Sequence, residues 1–144
     1  MALGRPATQS STWGGASAAL AVDGNTNGRF FSGSVTHTNS DANAWWQTDL
    51  GGVTPINNIK INSRTDGYRD RSNNASVFVS ASDMTGRSYA DLRADPTVWR
   101  YDIAGTPPAE LTLPVDTQAR YVRVQLPGTN YLSLAEVSVY ASQN

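Results

Sequence analysis

Turn-forming residues punctuate this sequence so densely that no long regular element fits between them. Gly, Asn, Ser, Thr, Asp and Pro recur every few residues along all 144 positions. Each interrupts the backbone for its own reason: Gly admits positive φ, Pro locks φ, and the short polar side chains bond to their own backbone. Between them lie short runs that alternate apolar with polar residues or are rich in β-branched ones, which is the signature of strands. The clearest are 56–62, 76–82, 110–114, 119–126 and 135–140, with 45–50 and 98–101 as further strands. In 119–126, Val122, Val124 and Leu126 share one face while Tyr121, Arg123 and Gln125 share the other. In 135–140, Val137 and Val139 face the core, so Glu136 points away from them. No amphipathic helix is evident, and 88–94 supplies one turn at most. Seven or eight short strands imply an all-β domain, a β-sandwich of jelly-roll type spanning 1–144 with its ligand site on loops. The most irregular stretch is 14–44, small and polar with Phe30 and Phe31 inside it, and a loop of that length is usually functional.

Composition removes several function classes. Eleven basic and twelve acidic residues leave a net charge of −1, so no long-range attraction to nucleic acid or an anionic membrane is expected. No segment approaches the roughly 20 apolar residues of a membrane helix. The first residues lack the apolar core of a signal peptide, and Met1 abuts domain-like sequence, as in a module taken from a larger multidomain protein. Without cysteine there is neither a disulfide nor a thiolate metal site; this fits a bacterial or cytosolic setting and does not exclude secretion. Ten of the eleven basic residues are Arg, whose rigid fork of donors suits a polar ligand better than the point charge of Lys.

Four constellations could carry chemistry. Asp23-Gly24-Asn25-Thr26-Asn27-Gly28 places oxygens at alternate positions, as in the first half of a helix-loop-helix calcium loop. The twelfth position of such a loop is Ser34 rather than Glu, which rejects that motif; a hard cation shared between two loops and a plain Asx turn both stay open. His37 is the only histidine. Alone it cannot build a typical zinc site, and no Gly-x-Ser-x-Gly elbow marks a nucleophile for it. Residues 64–71 hold Arg64, Asp66, Arg69, Asp70 and Arg71 directly after a strand. They make either a solvated turn of weak ion pairs or a set of forked donors held by carboxylates, suited to hydroxyls or phosphate. Finally, of Trp45 and Trp46 one is core, whereas Phe30 and Phe31 in the long loop could offer a face for an apolar ligand surface.

Together these residues resemble the F-type lectins, also called fucolectins. That family's sugar motif is His, 26 residues, Arg-x-Asp, four residues, then Arg or Lys. Here 26 residues separate His37 from Arg64, Asp66 follows, and four residues separate Asp66 from Arg71. The opening GRPATQSST, LAVDGN, WWQTDL, ARYVRVQLPG and LSLAEVSVY are similar to the wider discoidin-like group.

The resemblance implies a jelly roll with a shallow pocket among loops at one end. His37, Arg64 and Arg71 would donate hydrogen bonds to the 4-hydroxyl, the 3-hydroxyl and the ring oxygen of α-L-fucose. Asp66 would orient the guanidiniums. Phe30 and Phe31 would receive the C6 methyl. Animal members often carry two adjacent cysteines where Gly67 and Tyr68 stand here, so Tyr68 either stacks on the sugar or swings out. The family also implies a structural Ca2+, held here by the Leu20 carbonyl, Asp23, Asn25, Ser34, the Ala135 carbonyl and Glu136. Partners would be fucosylated glycans, with no nucleic acid and no membrane insertion, and the parent protein would be extracellular. Two other readings are a discoidin-type module for phospholipid, galactose or a protein ligand, and a glycosidase using Asp66 and Asp70. The flanking Arg residues would depress those carboxyls, whereas a general acid needs a raised value. A non-enzymatic lectin is therefore expected.

Overall fold

The computed structural model describes residues 2–141. It contains eight strands: β1 (Ala7–Gln9), β2 (Asp41–Ala42), β3 (Trp45–Ser63), β4 (Ser76–Ser80), β5 (Trp99–Asp102), β6 (Glu110–Gln125), β7 (Thr129–Asn130) and β8 (Leu134–Ala141). One helix, α1 (Tyr89–Ala94), is capped by the Ser88 side chain, which accepts from Asp91 N. Three short 3-10 turns, at Ala18–Val22, Phe30–Ser32 and Arg69–Ser72, lie in the connections.

The all-β expectation holds, and the main difference is that pairs of expected strands are joined. Segments 45–50 and 56–62 are one strand, β3, and 110–114 and 119–126 are one strand, β6. Their separating residues read as breaks because they are turn formers, Gly51-Gly52 in β3 and Pro114 with Asp116 in β6. The ladder instead passes through them by changing register between Asp49 and Thr54 and between Ile56 and Asn58. Such bulges bend a strand without ending it. Gly51 has φ +89° in this bend, and a Cβ there would meet the Arg5 guanidinium at 2.8 Å.

The antiparallel β3–β6 ladder is the spine of the domain. Its first part, with Trp45–Asp49 opposite Tyr121–Gln125, carries β1 on one side and β4 then β5 on the other. Its second part, with Thr54–Asn62 opposite Glu110–Ala119, carries β8. Inward residues of both parts meet in one buried cluster: Trp46, Val77 and Val122 from the first part, Ile59, Leu113 and Val139 from the second. The bent ladder thus closes on itself as two packed layers. β1 and the two-residue pair β2–β7 had no periodic signal, being too short to show one.

The reverse face of the five-stranded layer is covered too. Arg123 and Gln125 share it as expected, yet they are 1% and 3% exposed. The segment carrying α1 lies over it, packing Met84 and Leu92 on Phe78. Arg123 is accommodated by polar and aromatic neighbours: its guanidinium stands 4.2 Å from the Trp45 ring, Nε donates to Gln47 Oε1 at 2.9 Å, and Gln47 Nε2 donates to Asp83. Burial lowers its pKa to about 10, so it stays charged at neutral pH. Among the described residues no helix is long and apolar enough to cross a membrane.

Ile59 is fully buried where β3 pairs with both β6 and β8, opposite Leu113 and Val139. Ile59→Ala is expected to cost about 2–5 kcal/mol by urea unfolding; a loss under about 1 kcal/mol would contradict this packing.

A candidate sugar-binding pocket

Every expected pocket residue comes from a loop or short turn at one end of the two-layer body. His37 follows the turn Phe30–Ser32, Arg64 follows β3 directly, and Arg71 sits on the turn Arg69–Ser72. They converge on a cavity of about 230 Å3 lined by Phe30, Phe31, His37, Arg64, Tyr68 and Arg71. Two further rings complete it, Trp13 and Tyr131. The volume lies below the roughly 300–1,000 Å3 of pockets that enclose drug-sized ligands.

His37 is held by its neighbours in the chain. Thr36 and Thr38 each make a reciprocal pair of bonds to the strand of residues leading into β8. Thr36 N donates to Leu134 O while Leu134 N donates to Thr36 Oγ1. Thr38 N and Leu132 repeat the pattern two residues away. On the other side Trp13 N donates to His37 O, and His37 N donates to Ala16 O. The imidazole is 3% exposed and ringed by Trp13 at 4.8 Å and by Phe30 and Tyr131 at 5.2 Å between centroids. Its Nδ1 lies 2.7 Å from Thr38 O. A carbonyl can only accept, so Nδ1 carries the proton and Nε2 of the neutral ring carries a lone pair. Burial lowers the His37 pKa, and the charges of Arg64 and Arg71 lower it further. The ring is therefore neutral at pH 7. Sequence reasoning made His37 a donor to its ligand; the carbonyl bond makes Nε2 an acceptor instead.

Arg64 is 4% exposed, which for a guanidinium requires a partner. Asp66 supplies it with a fork: Nε to Oδ1 at 2.5 Å and Nη2 to Oδ2 at 3.2 Å. Burial pulls the Asp66 carboxyl up, but the Arg64 bonds and the Phe30 N–H outweigh it and hold the pKa below the ordinary value. Nη1 of Arg64 is buried without a hydrogen-bond partner among the described residues. Asp66 was expected to orient both guanidiniums; among the described residues it forms its ion pair with Arg64 and none with Arg71. Arg71 is steadied by rings instead, 4.3 Å from the Tyr68 centroid and 4.8 Å from that of Tyr131. Tyr68 also lies 4.5 Å below Arg64, so it is turned toward the pocket although 44% exposed.

The loop with the two phenylalanines is tied to the same carboxylate, because Phe30 N donates to Asp66 Oδ2 at 3.0 Å. Gly28 makes that approach possible. Its carbonyl accepts from Thr65 N, and a Cβ there would lie 2.6–2.8 Å from Thr65 and the Ser63 carbonyl. Phe30 packs edge-on to Phe31 and 5.7 Å from Trp13. Phe31 is 92% exposed at the rim. Trp13 and Tyr131 escaped sequence reasoning, as did the close approach that Gly28 permits. Trp13 lies in a polar run and Tyr131 in a turn, and neither has a spacing that links it to His37.

The proposed calcium ligands lie apart from the pocket, behind the same long loop. The turn Ala18–Val22, which holds Leu20, ends at Asp23 and packs against β8, which holds Ala135 and Glu136. Glu136, 3% exposed, accepts from Gly24 N through Oε2 at 2.8 Å, while Oε1 has no partner among the described residues. Burial, with the Asp23 carboxyl beside it, pushes its pKa up to about 7. Asp23 accepts from Asn25 N and Asn25 from Asn27 N, the local Asx bonding that the hexapeptide suggested, and Ser34 Oγ donates to Asn27 O. Two acidic side chains in contact, one with an unused buried oxygen, fit a cation between them. Among the described residues no three His, Cys, Asp or Glu side chains cluster, so most ligands of such an ion would be neutral oxygens.

The F5/8 type C domain family matches residues 6–137. Fucolectin-6 of Anguilla japonica is 33% identical over 124 residues, 86% of this chain and 63% of the eel protein. Fucolectin-1 of the same species is 32% identical over 140 residues, 94% of this chain and 76% of that protein. Among solved structures, a fucose-binding module of Streptococcus pneumoniae is 34% identical with a TM-score of 0.84, covering 98% of this chain and 94% of that one. The lectin domain of lectinolysin, solved with the Lewis B antigen, is 37% identical with a TM-score of 0.81 over 99% of this chain and 96% of that one. The chain belongs to the F5/8 type C family, in its discoidin-like fucolectin branch.

Proposed function

We propose that this chain is a lectin domain that binds terminal α-L-fucose on glycans. The observation that carries the reading is the convergence of one neutral imidazole and two guanidiniums on a single small, ring-lined pocket. A deoxy sugar has two kinds of surface, hydroxyls and an apolar C–H face with a methyl, and the pocket has a counterpart for each. The lone pair of His37 Nε2 takes a hydroxyl proton, while Nη1 of Arg64 and the guanidinium of Arg71 donate to hydroxyl or ring oxygens. One hydroxyl can serve both ways at once, giving its proton to His37 and accepting from an Arg. An epimer with that hydroxyl displaced leaves a buried donor unpaired, which costs more than the bond itself provides. Phe30, Phe31 and Trp13 supply the apolar face for the methyl and the sugar C–H bonds. Asp66 is committed to Arg64 and ionised, so it has no proton to give a leaving group; the reading contains no catalytic step. Monosaccharide affinity is expected between roughly micromolar and millimolar, because few groups are buried on binding.

A structural Ca2+ belongs to the same reading. Asp23, Asn25, Ser34, Glu136 and the carbonyls of Leu20 and Ala135 would hold it, and the ion would neutralise the Asp23–Glu136 pair. It would tie the loop leading to His37 onto β8 without touching the sugar. The parent protein acts outside the cell, where such glycans are displayed, and this domain is one module of it.

Arg71→Ala and His37→Ala should each weaken L-fucose binding at least about 100-fold by calorimetry, the first by losing charge-assisted bonds and the second by leaving a buried sugar hydroxyl without its acceptor. Arg71→Ala should also keep its melting temperature within a few degrees, since the side chain is only partly buried. Retained affinity in both variants would refute the assignment. The pH dependence has a definite sign. Because the folded pKa of His37 lies below 6.5, affinity should be flat from pH 8 to 6.5 and fall below that, as protonation removes the acceptor. A decline already between pH 8 and 7 would show the ring charged there. Chelation should lower the melting temperature by on the order of 5–10 °C, reversibly with Ca2+, and Glu136→Gln should abolish that response. A melting temperature indifferent to chelator would remove the ion from the scheme.

A further inference from the structure

Two depressions flank the fucose pocket, and they differ in chemistry. One shares Phe30 and Phe31 with it and is otherwise lined by Gly14, Gly15, Ala16, Leu20, Gly33 and Val35, with no polar side chain. The other begins at Arg71, which lines both cavities, and runs past Asp70, Asn73, Pro127, Thr129 and Asn130 with a volume of about 250 Å3.

The polar groups of this second groove are oriented but not consumed. Asn73 Oδ1 accepts from Thr106 Oγ1 at 2.6 Å and Asn130 Oδ1 accepts from Tyr131 N at 2.8 Å. Each bond fixes its amide and leaves Nδ2, with two N–H donors, without a protein partner among the described residues. The Asp70 carboxylate is in no ion pair among the described residues, so its oxygens are available as acceptors. Pro127 adds an apolar C–H surface. Fixed donors, free acceptors and a small apolar platform are what a hydroxylated ring needs, and the glycine-lined depression lacks the first two.

We infer that the Asp70–Asn73–Asn130 groove is a second sugar subsite that receives the residue to which fucose is attached, making a fucosylated disaccharide or longer glycan the ligand rather than free fucose. This rests on the fucose reading, with Arg71 as the wall common to both sugars. The preferred linkage is then the one whose geometry lays the second ring past Arg71 rather than over Phe31. Two or three extra hydrogen bonds at the usual net worth make about a tenfold gain.

The test is calorimetry on the whole domain and on the double variant Asp70→Ala/Asn73→Ala. The probes are methyl α-L-fucoside and disaccharides linking α-L-fucose 1→2 to galactose and 1→3 or 1→4 to N-acetylglucosamine. In the wild type at least one disaccharide should bind about tenfold tighter than the methyl fucoside. The double variant should lose that gain while binding methyl α-L-fucoside unchanged, which also shows that it is folded. A gain that survives in the variant, or no gain with any disaccharide, would overturn the subsite while leaving fucose recognition standing. Failure of the wild type to bind methyl α-L-fucoside at all would remove the fucose reading and the subsite together.

Discussion

The fork between Arg64 and Asp66 is the contact on which the pocket depends. It lies at the end of the longest strand, where a guanidinium is buried to 4% exposure. A lone buried charge is prohibitive, and a paired one is tolerable only when most of its donors and acceptors are used. Asp66 uses one oxygen on Arg64 Nε and shares the other between Nη2 and the Phe30 amide. One carboxylate thus orients the donor and anchors the loop that carries the apolar face. The guanidinium in turn stands over the rings of Phe30 and Tyr68. Removing either charge would leave the other unpaired in a ring-lined cavity and release the loop.

A pocket built from loops needs rigidity from elsewhere. The bent β3–β6 ladder supplies it by placing the end of β3 and the start of β8 at the same end of the body. The loops have almost no regular structure of their own, and their backbone groups are satisfied by each other. The two threonines flanking His37 bond to the chain entering β8 through both main chain and side chain. Such satisfaction is what allows a segment as polar as this one to be buried. The Asp23–Glu136 pair departs from this, with a buried carboxylate oxygen unused, and it sits where the long loop meets β8. The weak point of the loop framework coincides with the place where a cation would help most.

Legibility varied with the length scale of the physics involved. The strand pattern of 56–62 was visible because alternation is local, and so was the burial of Val122 and Val124. The continuity of β3 through Gly51-Gly52 was hidden, since a bulge and a chain break have the same residue types. Arg123 illustrates a different failure. Its face was assigned correctly, but its burial depends on the α1 segment lying over it, and no pattern within β6 announces that cover. Within the site, His37, Arg64, Asp66 and Arg71 were legible because they stand at the intervals of the F-type lectin motif, whereas Trp13 and Tyr131 had no such signal and entered only through proximity in space.

By itself the sequence determined that the chain is all-β, that it has neither cysteine chemistry nor a charge bias toward nucleic acid, and which polar residues stand at sugar-motif intervals. These follow from local periodicity, composition and spacing, which folding does not alter. Tertiary structure alone decided that His37 presents a lone pair, that Asp66 pairs with Arg64 rather than Arg71, that Tyr68 turns inward, and that a polar groove continues beyond Arg71. Each of these depends on which backbone carbonyl, ring or carboxylate arrives from a distant part of the chain, and hydrogen-bond direction and burial are properties of that neighbourhood rather than of the residue.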